Sequence, residues 1–325
     1  VKSTALLLHQ DLSLHVGERE LPDPRVGEVI VRVEWAGICG SDLHVLSTGD
    51  WVASWPATLG HEVVGVVEEC PGDELAIGTR VVVDSRVPCG ACEGCGDGPN
   101  RCERLAWVGE AHPGGFQSAL LMAVDRVVEC PPGLEAPIAV LAEPLAVAMH
   151  AVRRVTTEPR HVRILGYGPI GALVHLEVTR RWPRASVSVV EPSLPRRQLA
   201  RAFGAAVEGD EPYLVAPAQL VVDAAGYATS LLDAVSNCAN GATVLVVALG
   251  HDPVQFVPAG LAERELTILG SNGFSDELAD AVAVLCANPD RYRPVVTEAV
   301  LLEDVPERLR QLAKSPSAGK ILVRP

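Results

Sequence analysis

Short runs rich in β-branched residues, at 29–33, 63–67 and 80–83, punctuate the first part of the chain, each bounded by glycine, proline or polar residues. Runs of that length and composition predict strands. Up to about residue 145 the chain stays strand-rich and is broken repeatedly by Gly and Pro, which predicts an irregular, barrel-like β domain with little helix. The pattern then changes. In EPLAVAMHAVRRV, from Glu143, apolar residues recur at helical intervals and Pro144 stands where a helix can begin, marking a domain junction.

Beyond the junction, HVRILGYGPIGALVHLEVTRR reads as strand, glycine turn and helix, and SVSVVE as the next parallel strand. LVVDAAG, ATVLVVALG and LTILGS are near-continuous apolar runs, the pattern of strands buried on both faces. Helical stretches such as PRRQLARAFGA and SLLDAVSNCA alternate with them, so a doubly wound parallel sheet is expected. The tail, with VVTEAVLLEDV and GKILVRP, returns to strand-like pieces expected to rejoin the first domain. The chain carries no internal repeat and no low-complexity segment.

The glycine turn carries chemistry. Gly166, Gly168 and Gly171 form GxGxxG directly after a strand and at the mouth of a helix. The first glycine allows a tight turn, the second lets backbone approach a pyrophosphate, and the third lets helix pack on strand. Amides at the helix start, around Pro169 and Ile170, face the phosphate charge. Glu191 stands 20 positions past the last glycine, at the end of the next strand, where a carboxylate can take both hydroxyls of an adenosine ribose. The same carboxylate repels a 2′-phosphate and favours NAD. Arg196 and Arg197 leave NADP open, because either can pair with the extra phosphate or simply be a solvated helix charge.

Length and charge narrow the classes. The 325 residues fit two domains, and the net charge of -14 without a basic run argues against nucleic acid as a partner. No stretch approaches the roughly 18 consecutive apolar residues of a membrane span, and the opening VKSTALLLHQDLSLH carries charge too early for an export signal, so a cytoplasmic protein is expected. Of nine cysteines, Cys89, Cys92, Cys95 and Cys102 crowd into one short lobe. CxxCxxC followed by a fourth Cys is the spacing of a closed four-thiolate zinc site, whose negative charge Arg86, Arg101 and Arg104 can offset. An iron–sulfur cluster ordinarily closes with a shorter gap and a proline, where Glu103 stands here.

A second cluster reads as a catalytic metal site. GICGSDLH brings Cys39, Ser41, Asp42 and His44, and GHE brings His61 and Glu62. A catalytic zinc takes a few Cys, His and carboxylate ligands and leaves one position open. Alone, either Cys39 or His61 would be an ordinary core residue; together they are the first candidates for ligands.

These motifs carry a resemblance over nearly the whole length: GICGSDLH, GHEVVGVV, the four cysteines, EPLAVAMHAV, LGYGPIG, VVDAAG, VVALG, ELTILGS and GKILVRP stand in the order found in zinc-containing medium-chain dehydrogenases/reductases. The chain is similar to their sorbitol, butanediol and threonine dehydrogenase branch. The resemblance implies an α/β protein with a GroES-like irregular β-barrel catalytic domain (1–147 and 288–325, with a structural zinc lobe at 86–104) and a Rossmann domain (148–287), the active site lying between them. It implies two zinc ions per chain. Cys39 and His61 are then ligands of the catalytic ion, with Glu62 or Glu143 as the carboxylate ligand; the position of Glu143 before Pro144 also suits a helix N-terminus.

By the same resemblance, Asp42 orients the ligating histidine, Ser41 and His44 relay a proton, and the nicotinamide half of the cofactor runs along Val247, Ala248 and Leu249 and along Asn272, Gly273 and Phe274. The implied reaction is hydride exchange between a zinc-polarised secondary alcohol or ketone and NAD(H), with the proton leaving through Ser41, the cofactor ribose and His44. Two departures stand out: the last gap of the cysteine lobe is six residues where the family has seven, and the segment between Gly204 and Leu220 is short. Trp51, Trp55 and Trp107 are candidate cleft aromatics or core residues. A polyol, cyclitol or sugar-like alcohol is the expected substrate, ahead of a simple diol or an amino alcohol such as threonine. The rival readings are a zinc- and nucleotide-binding regulator without turnover and a zinc-free quinone or enone reductase. A homodimer or homotetramer is expected.

Overall fold

Alternation of buried valines along strand Glu28–Gly37 makes it the spine of the first part of the molecule. Val29, Val31 and Val33 point into a core with Leu6, Leu8, Val63, Val67, Val81, Val83 and Phe116. The computed structural model describes residues 1–209 and 217–325. Of the short segment between Gly204 and Leu220, residues 210–216 therefore lie outside the described residues.

The chain divides into two compact units, Val1–Glu143 with Ser275–Pro325, and Pro144–Phe274. In the first, a seven-stranded sheet runs in the order Val296–Leu301, Lys320–Arg324, Glu28–Gly37, Glu62–Glu69, Arg80–Val83, Val127–Glu129, with Ala119–Ala123 also paired to Glu28–Gly37. A separate hairpin joins Lys2–Leu8 to Leu14–Glu20. The tail rejoins this unit: Leu322 pairs with Gly37, and the Ile38 N–H donates to Ile321 O at 3.0 Å. That pairing sets the last strand beside the start of GICGSDLH.

In the second unit six parallel strands run in the order Ala206–Val207, Ser186–Val190, His161–Leu165, Ala218–Asp223, Cys238–Val246, Thr267–Gly270. The chain starts mid-sheet, winds to one edge and returns to the other, leaving the switch between His161–Leu165 and Ala218–Asp223. Ligands bind such sheets beyond the carboxyl ends of the strands at that switch. The doubly wound architecture expected from the sequence is present.

Five details differ from expectation. Strand Thr267–Gly270 is mostly exposed rather than buried on both faces; it is the sheet edge, and an apolar run does not say which strand ends a sheet. GSDLHVLST forms a helix, Gly40–Thr48, inside the β unit. The stretch Ala136–Arg153 does have the length and apolarity of a membrane span, but 78% of it is buried inside the protein and it is broken into helices Ala136–Ala139 and Ala142–Arg153. Finally, the second crossing between units falls at 274/275 rather than 287/288, because helix Glu277–Ala287 buries Leu278, Ala281, Val282 and Leu285 within the first unit. The first falls at 143/144 rather than 147/148, inside helix Ala142–Arg153. An amphipathic helix reads the same whichever body covers its apolar face.

Candidate active site and metal centres

Cys39 closes strand Glu28–Gly37 and caps helix Gly40–Thr48, while His61 and Glu62 open the neighbouring strand. Antiparallel pairing of Gly37 with Glu62 brings the two motifs together. One ligand atom from each of Cys39, His61 and Glu62 falls within 4.8 Å of the others. Asp42 fixes the geometry through backbone: its Oδ2 accepts the Cys39 N–H at 2.8 Å and its Oδ1 the Gly60 N–H at 3.2 Å. Its Oδ1 also lies 3.9 Å from His61 Nδ1, an ion-pair distance rather than a hydrogen bond.

The electrostatics ask for a cation. Glu143, fully buried and hydrogen-bonded by Ser85 Oγ at 3.2 Å, has its pKa pushed up to about 7, first by burial and then by the Glu62 charge. Burial opposes a charged His61, yet Cys39, Asp42 and Glu143 together raise its pKa well above the ordinary value. Glu62 Oε2 is buried without a hydrogen-bond partner. A thiol, an imidazole and a carboxylate with a spare oxygen, surrounded by further acids, fit zinc.

Lys320, which the sequence reading missed, counterbalances this cluster. Its Nζ meets Glu62 Oε1 at 2.5 Å and donates to Ile38 O at 2.9 Å, with lysine and glutamate both buried. Burial disfavours its charge, but Glu62 and Cys39 more than compensate and its pKa is raised. Nothing near GKILVRP in sequence announces a site; only the pairing of the tail with Gly37 creates one. Ser85 and Glu110 were missed likewise, Glu110 having its pKa raised by burial while His61 opposes the shift.

Ser41 and His44 stand three residues apart on helix Gly40–Thr48 and so share a face. His44 Nε2 lies 3.3 Å from Asp50 Oδ2, and the imidazole packs on Trp51 with ring centres 4.4 Å apart. Trp55 packs against the core of this unit and Trp107 lies in the short strand Ala106–Trp107.

The cysteine lobe gathers all four sulfurs. Separations of 3.8 Å for Cys89–Cys95, 3.5 Å for Cys92–Cys95 and 3.9 Å for Cys92–Cys102 match the roughly 3.8 Å that Zn–S bonds of about 2.3 Å impose in a tetrahedron. The Cys89 N–H points at Cys102 Sγ, the Glu103 N–H at Cys92 Sγ and the Arg104 guanidinium at Cys89 Sγ. Arg86, by contrast, is buried against Asp84 at 2.8 Å. The shortened last gap still closes the site.

In the second unit Gly166 has φ +85°, and a Cβ there would press on Ala225; one at Gly171 would land on the Gly166 carbonyl. Gly168 caps helix Pro169–Arg181, and the nearest atom to a Cβ there is an Arg196 nitrogen, 3.6 Å away. Glu191 accepts the Tyr167 N–H at 2.7 Å and the Ser193 N–H at 2.8 Å, with Arg196 3.8 Å away. Asp223, not anticipated, holds the VVDAAG turn by accepting from Ala225 N, Gly226 N and Ser230 Oγ. Val247, Ala248 and Leu249 follow strand Cys238–Val246, and Asn272, Gly273 and Phe274 follow strand Thr267–Gly270, so both groups lie beyond carboxyl ends of the sheet. The Phe274 side chain is buried, which leaves its backbone as the part able to meet a ligand.

Residues 25–132 match the Alcohol dehydrogenase GroES-like domain. The starvation-sensing protein RspB of Escherichia coli K12 is 31% identical over 82% of this chain and 83% of its own length. The L-galactonate-5-dehydrogenase of the same organism is 30% identical over 84% of each. A zinc-binding dehydrogenase of Sinorhizobium meliloti 1021, solved bound to NADP, superposes with a TM-score of 0.89 at 28% identity over the full length of both chains. The chain belongs to the zinc-containing medium-chain dehydrogenase/reductase family. It is thus a zinc-containing, NAD(P)-dependent alcohol dehydrogenase.

Proposed function

We propose that this dehydrogenase oxidises a secondary hydroxyl on a polyol, cyclitol or sugar-like chain, or reduces the corresponding ketone, at Cys39, His61 and Glu62. The observation that carries the reading is the convergence of those three ligand atoms beside Lys320 and Glu143. L-galactonate-5-dehydrogenase, a relative named for a polyhydroxylated acid, supports the substrate class. Bound zinc supplies Lewis acidity toward a hydroxyl or carbonyl oxygen, and bound nicotinamide supplies the hydride carrier.

The chain's own groups do the rest. Cys39, His61 and one glutamate hold the metal; Glu62, with its free buried oxygen, is the nearer carboxylate, and Glu143 stays available for exchange. Asp42 braces both ligand segments through their backbones. Ser41 and His44 carry the proton outward. The four-cysteine lobe holds a structural zinc. The unit 144–274 holds the nucleotide: the amides after Gly168 face its phosphates, Glu191 its adenosine ribose, and residues 247–249 and 272–274 its nicotinamide half. Glu191 favours NAD, whereas Arg196 beside it and the NADP of the S. meliloti neighbour support NADP as the second reading. The exposed edge strand Thr267–Gly270, with Ile268 apolar and exposed on it, supports a homo-oligomer, and the free cysteines suit a reducing cytoplasm.

Metal analysis, NADH fluorescence and a panel of polyols, sugar acids, diols and threonine with both cofactors test the reading. Two zincs per chain and turnover strongest on polyhydroxylated substrates are expected, and Cys39→Ser should abolish turnover while NADH affinity stays nearly unchanged. NADH binding without turnover across the panel would leave the regulator reading instead.

A further inference from the structure

The first hairpin presents two histidines that neither zinc centre uses. Its register pairs Leu8 with Leu14 and Leu7 with His15, and the His9 N–H continues the ladder to Ser13 O at 2.9 Å. Side chains two apart on a strand share a face, so His9 and His15 are diagonal neighbours on one face of the ribbon. Their ring centres lie 5.4 Å apart with planes at 64°. Two imidazoles bound to one tetrahedral ion through Zn–N bonds of about 2.0–2.1 Å place their ring centres about 5 Å apart. The spacing of the ring centres is thus compatible with a shared ion.

Two more features surround them. An open cavity of about 490 Å³ is lined by His9, Gln10, Asp11, Ser13 and His15. Its carboxylate is fixed: Asp11 Oδ1 accepts both the N–H and the hydroxyl of Ser13, at 3.0 and 2.6 Å. The tip itself is held, with Leu12 at φ 64° beside Gly49 and Trp55, and Leu8 bonded to Ala57 in both directions at 2.8 and 2.9 Å. A pair of neighbouring imidazoles suits a borderline divalent ion and not a hard one such as Mg²⁺.

We propose that His9 and His15 form a third, peripheral metal site that takes Zn²⁺, Ni²⁺ or Cu²⁺, with water completing the coordination of the ion.

Calorimetric titration of the two-zinc enzyme with Ni²⁺ tests this, followed by metal analysis after desalting. One further ion per chain is expected, with both zincs retained. His9→Ala and His15→Ala should each weaken it by at least the about 10–100-fold that follows loss of a mere outer-shell partner, with turnover and the unfolding temperature in the absence of Ni²⁺ unchanged. Both residues are at least partly exposed, so the variants should fold. A wild-type enzyme that takes up no further ion, or variants that bind it as tightly, would overturn the proposal and leave the rings an edge-to-face contact only.

Discussion

Replacing Lys320 with methionine strips Glu62 Oε1 and the Ile38 carbonyl of their buried partner. Breaking a buried pair by removing one member costs about 3–5 kcal/mol, chiefly because the other charge is stranded. Lys320→Met should lower the urea midpoint accordingly, and Lys320→Met/Glu62→Gln should recover part of the loss; an unchanged midpoint in the single variant would refute the pairing. His161 gives a pH prediction. Burial holds its folded pKa below the ordinary value, with Arg163 assisting and Glu208 opposing, and its ring nitrogens bond Ser186 and Ser188. As pH falls below about 6.5 the unfolded chain therefore takes up the proton first. This contribution is full above that pH and diminishes as pH falls through the folded value. Chemical denaturation between pH 5 and 8 should show a steeper acid-side decline for the wild type than for His161→Gln. The chemistry of Cys39 and His61 was legible from residue type and spacing; that of Lys320 was not, because a lone lysine in an apolar tail has no local signature.

The cysteine lobe is the element most dependent on a ligand. It has two short 3-10 turns, Glu93–Asp97 and Pro99–Arg101, and no buried apolar residue within them. Metal binding to such a segment is in effect its folding free energy. A strong chelator should make cleavage by trypsin at Arg101 and Arg104 rapid while the sheet units stay resistant; equal cleavage with and without chelator would contradict a structural ion there. Among regular elements, strand type was readable from β-branched runs and the glycine turn from its context. Helix Gly40–Thr48 was hidden because Gly, Ser, Asp and Thr dominate its ends and its apolar face is too short for a period to emerge. The reach of helix Glu277–Ala287 into the first unit was equally hidden, since its pattern names an apolar face and not the surface that covers it.

At the scale of the whole molecule the edge strand Thr267–Gly270 stands out by its exposure. Ile268 on this strand is 40% exposed. An exposed apolar edge invites pairing with a second chain unless charge or proline blocks it. On the proposal that the enzyme is a homo-oligomer paired along this edge, Ile268→Lys should lower its mass in light scattering, with secondary structure unchanged by circular dichroism. An unaltered mass would refute pairing of this edge with a second chain.

Fold class and family were set by the linear chain, because strand and helix periods, glycine turns and ligand spacings are short-range properties. Which glutamate stands nearer Cys39 and His61, what neutralises it, which strand ends the sheet and where the chain passes from one unit to the other were decided only by folding. Those outcomes depend on pairings such as Leu322 with Gly37, nearly three hundred residues apart, and no local pattern encodes a contact of that range.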